Sequence, residues 1–255
     1  MRIIDLSVAI DNETVADPPQ FRPQIEYIDH KAAQEEFCNL YGVTVNELPE
    51  GNGIASENVR MTTHGGTHMD APWHYYPTMN GGEPAMTIDE VPLEWCIGNG
   101  VVIDMRDKAP GYVVTAQDLE DYFARVGYMP KEGDICLLMS GAGEYYGTDQ
   151  YLGHQCGVGR EGTLWLIDHG VKVVGTDAWS WDPPMPSVAK RYKECGDPSI
   201  LWEGHRVGRE KAYLHMEKMA NLDQLPLTGF KVICLPVKIK KASAGWVRAV
   251  AILDD

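Results

Sequence analysis

The stretch HGGTHMDAPWH, from His64 to His74, constrains the fold more than any other part of the sequence. Gly65 and Gly66 weaken a helix at this point, and Pro72 blocks the continuation of one. We therefore expect a glycine-hinged loop that leads into a β-strand.

The same stretch carries a possible metal site. Residues two apart on an extended segment point to the same side, so His68 and Asp70 are expected to face the same way. The two glycines allow the chain to curl and to return His64 to the same point. Imidazole and carboxylate groups bind divalent transition metals, and a catalytic ion commonly has about three protein ligands and one open position. We predict that His64, His68 and Asp70 bind such an ion.

His74 is predicted to exchange protons instead of binding the metal. A proline separates it from Asp70 and turns the chain away from the coordination sphere. An imidazole with an ordinary pKa of about 6.5 can accept and return a proton near neutral pH. Thr67 is expected to hydrogen-bond a ligand and orient it. The other isolated histidines are interpreted as core residues: His30, His154, His169 and His215.

Short β-rich runs alternate with a few helical stretches, which predicts an α/β fold. Strands are predicted at 2–10, 58–63, 100–105, 134–140, 171–175, 231–239 and 246–253, the last two forming a terminal hairpin. Helices are predicted at 29–41, 115–126 and 161–169. The second of these has the best boundaries, because Thr115 and Asp118 form a capping pattern and Gly127 is a stop signal. Nothing in the sequence resembles a linker, so we expect one domain, residues 1–255, with a mixed β-sheet core and flanking helices.

Charge and cysteine usage exclude several classes of partner. The chain has 22 Lys and Arg residues against 37 Asp and Glu, a formal charge of −15, which repels nucleic acid and anionic lipid. No apolar run approaches the ~20 residues that span a bilayer. The first residues are too acidic for a signal peptide, and six scattered cysteines read as buried thiols. We expect a cytoplasmic protein that acts on a small molecule, with no nucleic-acid or membrane partner.

HGGTHMDAPWH matches the signature H-x-G-T-H-x-D-x-P-x-H of the cyclase family of metal-dependent hydrolases, which includes bacterial kynurenine formamidase and isatin hydrolase. The similarity extends over nearly the whole chain, through IIDLS near the start, GTDAWSWDP at 175–183, and NLDQLP followed by GFKVICLPVKI near the end. The resemblance implies a swivelling β/β/α fold and a homo-oligomer.

The resemblance also implies roles for individual residues. By position in the signature, His64, His68 and Asp70 bind a divalent metal, zinc or manganese, and His74 transfers protons. Family members with two ions use a later histidine and glutamate, which correspond to His205 and Glu217 here. On one unbroken helix these two would lie ~18 Å apart. They can share an ion only if the chain bends, and Gly208 is the expected place.

The function that the resemblance implies is hydrolysis of a C–N bond. A metal-activated water would attack a small aryl formamide or a cyclic amide or imide, with His74 moving the proton. Trp73, Trp179 and Trp181 are expected to form aromatic walls for a planar substrate. Two alternatives stay open, a lactone or ester hydrolase that uses the same site, and a non-catalytic metal- or ligand-binding protein.

Overall fold

A computed structural model describes residues 1–253 of the chain. Within that range it contains fifteen strands and five α-helices, joined by loops and short 3₁₀ turns. The strands are β1 (Arg2–Asp5), β2 (Gln24–Ile28), β3 (Ser56–Arg60), β4 (His68–Asp70), β5 (Thr78–Met79), β6 (Glu83–Pro84), β7 (Ile97–Asp104), β8 (Val113–Val114), β9 (Asp134–Met139), β10 (Gly157–Val158), β11 (Val173–Thr176), β12 (Leu214–Glu217), β13 (Phe230–Ile233), β14 (Ala244–Trp246) and β15 (Val250–Leu253). The helices are α1 (Gln34–Tyr41), α2 (Pro72–Tyr75), α3 (Ala116–Val126), α4 (Arg160–Asp168) and α5 (Met185–Cys195).

Nine of the strands form one mixed sheet in the order β1-β15-β13-β7-β9-β11-β12-β4-β14. The central strands β7, β9, β11 and β12 are parallel, and the strands on both sides pair antiparallel. This arrangement confirms the predicted α/β class with a mixed sheet.

The middle of the sheet is covered on both faces. Along β9, Ile135 and Leu137 join one hydrophobic cluster, whereas Cys136 and Leu138 join the cluster that packs against α3 and α4. Because both faces are buried, the strand is a continuous apolar run, as is usual for parallel strands. The site described below lies farther along the sheet, where β12 meets the antiparallel strand β4.

The helix predictions are largely confirmed. Helix α3 begins after Thr115 and is followed by Gly127 in the left-handed conformation, while α4 and α1 overlap the other two predicted helices. Helix α5 is missing from the sequence interpretation because three prolines surround its start. A proline in the first helical turn leaves no intrahelical bond unmade, so Pro186 is compatible with the helix.

The terminal hairpin is confirmed only in part. β13 and β15 pair antiparallel, as predicted. The chain between them does not form one continuous ladder, because residues 244–246 leave to pair with β4 at the other end of the sheet.

The cysteine interpretation also needs a correction. All six thiols are free, but only Cys96, Cys136, Cys156 and Cys234 are buried, and Cys195 is exposed.

The N-terminus of α3 supports a stability prediction. Asp118 accepts hydrogen bonds from the backbone and hydroxyl of Thr115 and an ion-pair contact from Lys108. These contacts outweigh partial burial and lower its pKa to about 2. We expect Asp118→Asn to reduce the free energy of unfolding at pH 7 by about 1 kcal/mol, the typical value of a helix cap.

The sign of the pH dependence follows from the lowered pKa. The stabilisation by Asp118 is complete above its ordinary pKa of about 4, and it is lost as the pH falls from there toward 2. Urea unfolding of the native protein and of Asp118→Asn should therefore differ at pH 7 and converge below pH 3. Asp121→Asn on the exposed face of the same helix is the matched control. Equal stability of Asp118→Asn and native protein at pH 7 would contradict the prediction.

Candidate metal centre

Two antiparallel strands place four candidate ligands on one face of the sheet. His68 and Asp70 lie on β4, and His215 and Glu217 lie on β12. In the register of this pair, His68 is directly opposite Glu217 and Asp70 is directly opposite His215. Residues that face each other across two strands have side chains within contact distance. The strand predicted after the glycine hinge therefore forms. Its pairing with β12 gathers two imidazoles and two carboxylates on one face of the sheet.

The opposite face of the two strands explains this register. Met69 lies opposite Met216 and both are completely buried in the core. A shift by one residue would exchange the two faces, exposing the methionines and burying the polar groups among apolar side chains. Hydrophobic packing on one face thus specifies the polar cluster on the other.

His64 returns to the cluster through the glycine hinge. Gly66 has a φ of +60°, a left-handed conformation that favours glycine. His64 Nδ1 lies 2.8 Å from Asp70 Oδ1, and its Nε2 lies 3.0 Å from the hydroxyl of Ser243. His68 Nε2 lies 3.4 Å from the same Asp70 oxygen. The structure therefore brings the three residues of the predicted ligand set together around Asp70 Oδ1.

His205 and Glu217 converge on the other carboxylate oxygen of Asp70. His205 Nε2 lies 4.0 Å from Asp70 Oδ2 and 3.7 Å from Glu217 Oε1. The bend that allows this is not at Gly208, which stays within the turn His205–Arg209. A β-carbon on Gly208 would come within 2.3 Å of the Tyr75 ring, so glycine is needed there for close packing. The chain reverses between this turn and β12.

Asp182 fixes the orientation of His205. Its carboxylate accepts the backbone N–H groups of Gly204 and His205 and a short bond from His205 Nδ1. With Nδ1 bound in this way, Nε2 faces Asp70 and Glu217. A carboxylate that binds the outer nitrogen of a histidine is a common feature of metal sites, because it fixes both the ring and its tautomer.

Two buried atoms show that the cluster fits a cation. Among residues 1–253, His68 Nε2 and Asp70 Oδ1 make no hydrogen bond of favourable geometry, although His64 Nδ1 lies 2.8 Å from Asp70 Oδ1. Leaving buried polar atoms unpaired is costly, and native proteins seldom do so without a ligand. Imidazole nitrogens and carboxylate oxygens are ligands for zinc and manganese. The residues present therefore suit a divalent metal.

Both carboxylates of the cluster are ionised. Burial opposes ionisation of Asp70, but the neighbouring His74 and His68 and a hydrogen bond from His215 lower its pKa well below the usual range. Burial likewise opposes ionisation of Glu217, whereas the hydrogen bond from His215 lowers its pKa to about 2. The two buried carboxylates therefore carry negative charge that a divalent cation can balance. Burial opposes protonation of His215, but its hydrogen bonds to the same two carboxylates raise its pKa to about 9.

His74 lies at the edge of the cluster and in the wall of a cavity. Its Nε2 is 3.7 Å from Asp70 Oδ2, and 35% of its side chain is exposed. Partial burial, together with the charges of His205 and His64, lowers the pKa of His74 to about 4. His74 is therefore neutral at pH 7 and can accept a proton.

The cavity next to the cluster has a volume of about 550 Å³. His64, His74, His205 and Glu217 line one end of it. The remaining wall is largely apolar and includes Phe21, Trp179, Met185, Val188, Leu201 and Trp202. A cavity of this size and character accommodates a small, largely apolar organic molecule.

Of the three tryptophans predicted to bind substrate, the structure places one in the cavity. Trp179 is part of the wall. Trp73 is on α2, about half exposed and outside the lining. Trp181 is completely buried, with its indole N–H donated to Thr163 and its backbone N–H donated to Glu217 Oε1 at 3.0 Å. Trp181 thus holds a carboxylate of the cluster in place, a role that the aromatic pattern alone does not reveal.

Thr67 does not hydrogen-bond a residue of the cluster, contrary to the expectation from the sequence. Its hydroxyl donates to the carbonyl of Lys218 at 2.6 Å and accepts the backbone N–H of Val8. The Lys218 side chain in turn pairs with Asp17 and donates to the carbonyl of His64 at 2.9 Å. Thr67 therefore supports the His64 loop only indirectly. It hydrogen-bonds the backbone of Lys218, and the side chain of Lys218 holds the His64 carbonyl.

Sequence reasoning missed one residue of the cluster. His215 was interpreted as a core histidine, but its Nε2 lies 3.0 Å from Asp70 Oδ2 and 3.2 Å from Glu217 Oε1. No strand was predicted at these residues. The available signal is the sequence HME, because alternation along a strand would place His215 and Glu217 on one face. Without the pairing partner, that signal does not say which residues they face.

Comparison with known families and sequences gives consistent results. The profile of the Cyclase family matches residues 4–183. A kynurenine formamidase from Erythrobacter litoralis is 26% identical over 203 residues, 80% of this chain and 79% of that protein. One from Salinibacter ruber is 24% identical over 250 residues, 98% of this chain and 97% of that protein.

Solved structures share the fold. Isatin hydrolase A from Labrenzia aggregata, bound to benzyl benzoate, superimposes with a TM-score of 0.76 at 24% identity, covering 100% of this chain and 94% of that one. Isatin hydrolase A from Ralstonia solanacearum has a TM-score of 0.76 at 22% identity, with 99% and 92% covered. The arrangement of strands around the cluster is thus one that other proteins also adopt.

Proposed function

The chain belongs to the Cyclase family, and from this premise we propose that it is a metal-dependent hydrolase that cleaves the C–N bond of a small aryl formamide or cyclic amide or imide. One observation carries the proposal. A buried group of imidazoles and carboxylates, two of its atoms unpaired, forms one end of an apolar cavity that also contains His74.

His64, His68, Asp70, His205 and Glu217 would hold the metal. A divalent cation bound there would lower the pKa of water to about 7 and polarise a carbonyl oxygen. The part that the chain itself performs is proton transfer and positioning. Asp182 orients His205, and the backbone N–H of Trp181 orients Glu217.

His74 Nε2 is the proton carrier in this proposal. Hydrolysis forms a bond between a water oxygen and the acyl carbon and breaks the C–N bond, so one proton must move from the water to the leaving nitrogen. His74 is neutral at pH 7 and therefore accepts that proton. Its low pKa makes the protonated form a good acid, which then donates to the amine.

The charges in the cavity wall favour a neutral substrate. Lys218 is the one lysine or arginine in the wall among the described residues. It is 2% exposed, pairs with Asp17 and donates to the His64 carbonyl. Asp17 also accepts the Trp179 indole N–H at 2.8 Å. With both charges already paired, a zwitterionic or anionic substrate would lose its hydration without gaining a partner.

A substrate pair that differs in charge tests this proposal. We compare 2-formamidoacetophenone with N-formylkynurenine, which has the same formamide and ortho ketone but adds a charged amino-acid end. An unpaired polar group costs about 1–3 kcal/mol on burial, so kcat/KM should be about 10- to 100-fold higher for the neutral compound. Isatin and isatin-5-sulfonate form a second matched pair. Equal or better turnover of the charged members would contradict the preference for neutral substrates.

The same panel separates the alternatives. A simple aryl lactone tests ester hydrolysis, which the proposed site could also perform because a carbonyl carbon is attacked in both reactions. The isatin hydrolase A structure with benzyl benzoate supports including an aryl ester. A protein that binds metal but hydrolyses no member of the panel would be the non-catalytic alternative.

The proposal also covers the number of metal ions, the cellular location, the assembly and the domain organisation. Two ions, zinc or manganese, are favoured over one because the two oxygens of Asp70 face different histidines. A cytoplasmic location is supported by six free thiols. A homo-oligomer is supported by the ribbon of β2 and β3, where Tyr27 and Val59 are largely exposed. We retain residues 1–255 as one domain. No helix within residues 1–253 has the length and apolar character needed to cross a membrane.

A further inference from the structure

We propose that His215 is an additional metal ligand, which binds through Nε2 in the half of the cluster formed by Asp70 Oδ2, His205 and Glu217 Oε1. This inference rests on the metal-dependent site proposed above and adds a residue to it that the sequence signature does not contain. It makes this half of the site a set of two imidazoles and two carboxylates.

The position of His215 supports this role. It is completely buried, directly opposite Asp70 across the strand pair and on the same face as Glu217. Donor atoms of Asp70, His205, His215 and Glu217 all lie within 4.8 Å of one another. Ligands bound at ~2.1 Å to a tetrahedral ion are ~3.4 Å apart, so a cation fits between these atoms with small adjustments. The His205 and His215 rings are 4.4 Å apart at 79°, so neither ring covers the other.

The hydrogen bonds of the neighbouring tyrosine indicate which nitrogen is available. The Tyr213 hydroxyl is 2.9 Å from the carbonyl of Gly204 and 3.3 Å from His215 Nδ1. A hydroxyl has one proton, and the shorter bond assigns it to the carbonyl. The tyrosine oxygen then accepts the N–H of His215 Nδ1. His215 Nε2 is left facing the two carboxylate oxygens, 3.0 Å from Asp70 Oδ2 and 3.2 Å from Glu217 Oε1.

A nitrogen that faces two carboxylate oxygens either donates a proton to them or shares a cation with them. The other two buried imidazoles of the cluster have the same arrangement. His68 binds the Gly66 carbonyl through Nδ1 at 2.9 Å, and His205 binds Asp182 through Nδ1. In all three, Nδ1 is bound on the outside and Nε2 faces the cluster. This is the pattern of histidines oriented for metal binding.

The competing role for His215 is purely structural. In that case Nε2 would keep a proton that bridges Asp70 and Glu217 even in the presence of metal. Glutamine distinguishes the two roles, because its amide can still donate a hydrogen bond to a carboxylate but is a poor ligand for zinc or cadmium. The variant is therefore His215→Gln, with His169→Gln as a control at a partly buried histidine outside the cluster.

The experiment measures metal binding without any turnover. Metal-stripped protein is titrated with Co²⁺, following the visible absorption and the number of ions bound. We expect His215→Gln to bind the last equivalent at least ~100-fold more weakly than the native protein, and to change the spectrum of that ion. His169→Gln should match the native titration. Unchanged stoichiometry, affinity and spectrum in His215→Gln would overturn the proposal.

A second measurement uses the native protein and does not depend on the variant folding. In protein labelled with ¹⁵N-histidine and loaded with ¹¹³Cd²⁺, a ligand nitrogen shows direct coupling to cadmium. The proposal expects such coupling at Nε2 of His215, and its absence would refute it. Binding of no divalent ion by the native protein would refute the proposed function as well. If the native protein binds metal and turns over substrate, but His215 shows no coupling to cadmium, only this inference is refuted and the proposed function stands.

Discussion

Asp70→Asn should remove both the bound metal and the hydrolytic activity. The two carboxylate oxygens of Asp70 face both halves of the cluster, Oδ1 toward His68 and Oδ2 toward His215 and His205. Asparagine has nearly the same volume but no charge. A metal supplies several kcal/mol of stabilisation to the transition state, which corresponds to a fall in kcat/KM on the order of 10³-fold or more.

Metal analysis and kinetics test this together. Native protein and Asp70→Asn would be purified with excess zinc or manganese, freed of loosely bound ions and analysed for bound metal per chain. Asp223→Asn, at an exposed aspartate, is the control and should retain both metal and activity. A variant Asp70→Asn that kept its full metal content and turnover would show that the cluster is not the catalytic metal site.

His74→Gln should lose activity while retaining the metal. His74 lines the cavity with 35% of its side chain exposed, whereas the side chains of His68 and His205 are buried. General acid–base catalysis contributes typically about 10²- to 10⁴-fold, and we expect kcat to fall by that factor. The bound metal per chain should equal that of the native protein. His154→Gln, at a histidine outside the cavity lining, is the control.

The pH dependence adds an independent criterion. Burial and neighbouring charges lower the pKa of His74 to about 4, so the base form predominates above that pH. Activity that depends on neutral His74 should therefore rise as the pH increases through about 4 and should not change with His74 titration between pH 6 and 8. An acidic limb near pH 6.5 that disappears in His74→Gln would contradict the lowered pKa. Full activity of the variant would contradict the role itself.

Local sequence was sufficient for the first half of the site. The two glycines of HGGTHMDAPWH disfavour a helix before the strand, and alternation along that strand places His68 and Asp70 on one side. Pro72 does not exclude a helix after the strand, because it is the first residue of α2. The capped helix α3 was predictable for the same reason, since Thr115, Asp118 and Gly127 are all within one helix length. These features depend on backbone preferences of residues that are neighbours in the chain.

The second half depended on contacts between distant parts of the chain. His215 faces Asp70, 145 residues away in sequence, and Trp181 is a buried partner of Glu217 instead of a cavity wall. The aromatic pattern around Trp73 and Trp181 could not show which rings reach the cavity, because that depends on how the loops pack.

Local patterns in the sequence were sufficient to identify the residues of the HGGTHMDAPWH stretch and the α/β class. Three features became visible only in the folded chain: His215 joins the cluster, Gly208 packs against Tyr75, and Trp179 is the one of the three predicted tryptophans that lines the cavity. The physical reason is strand register. Burial of Met69 against Met216 selects which residues of β4 and β12 face each other, and no local pattern in either strand specifies that choice.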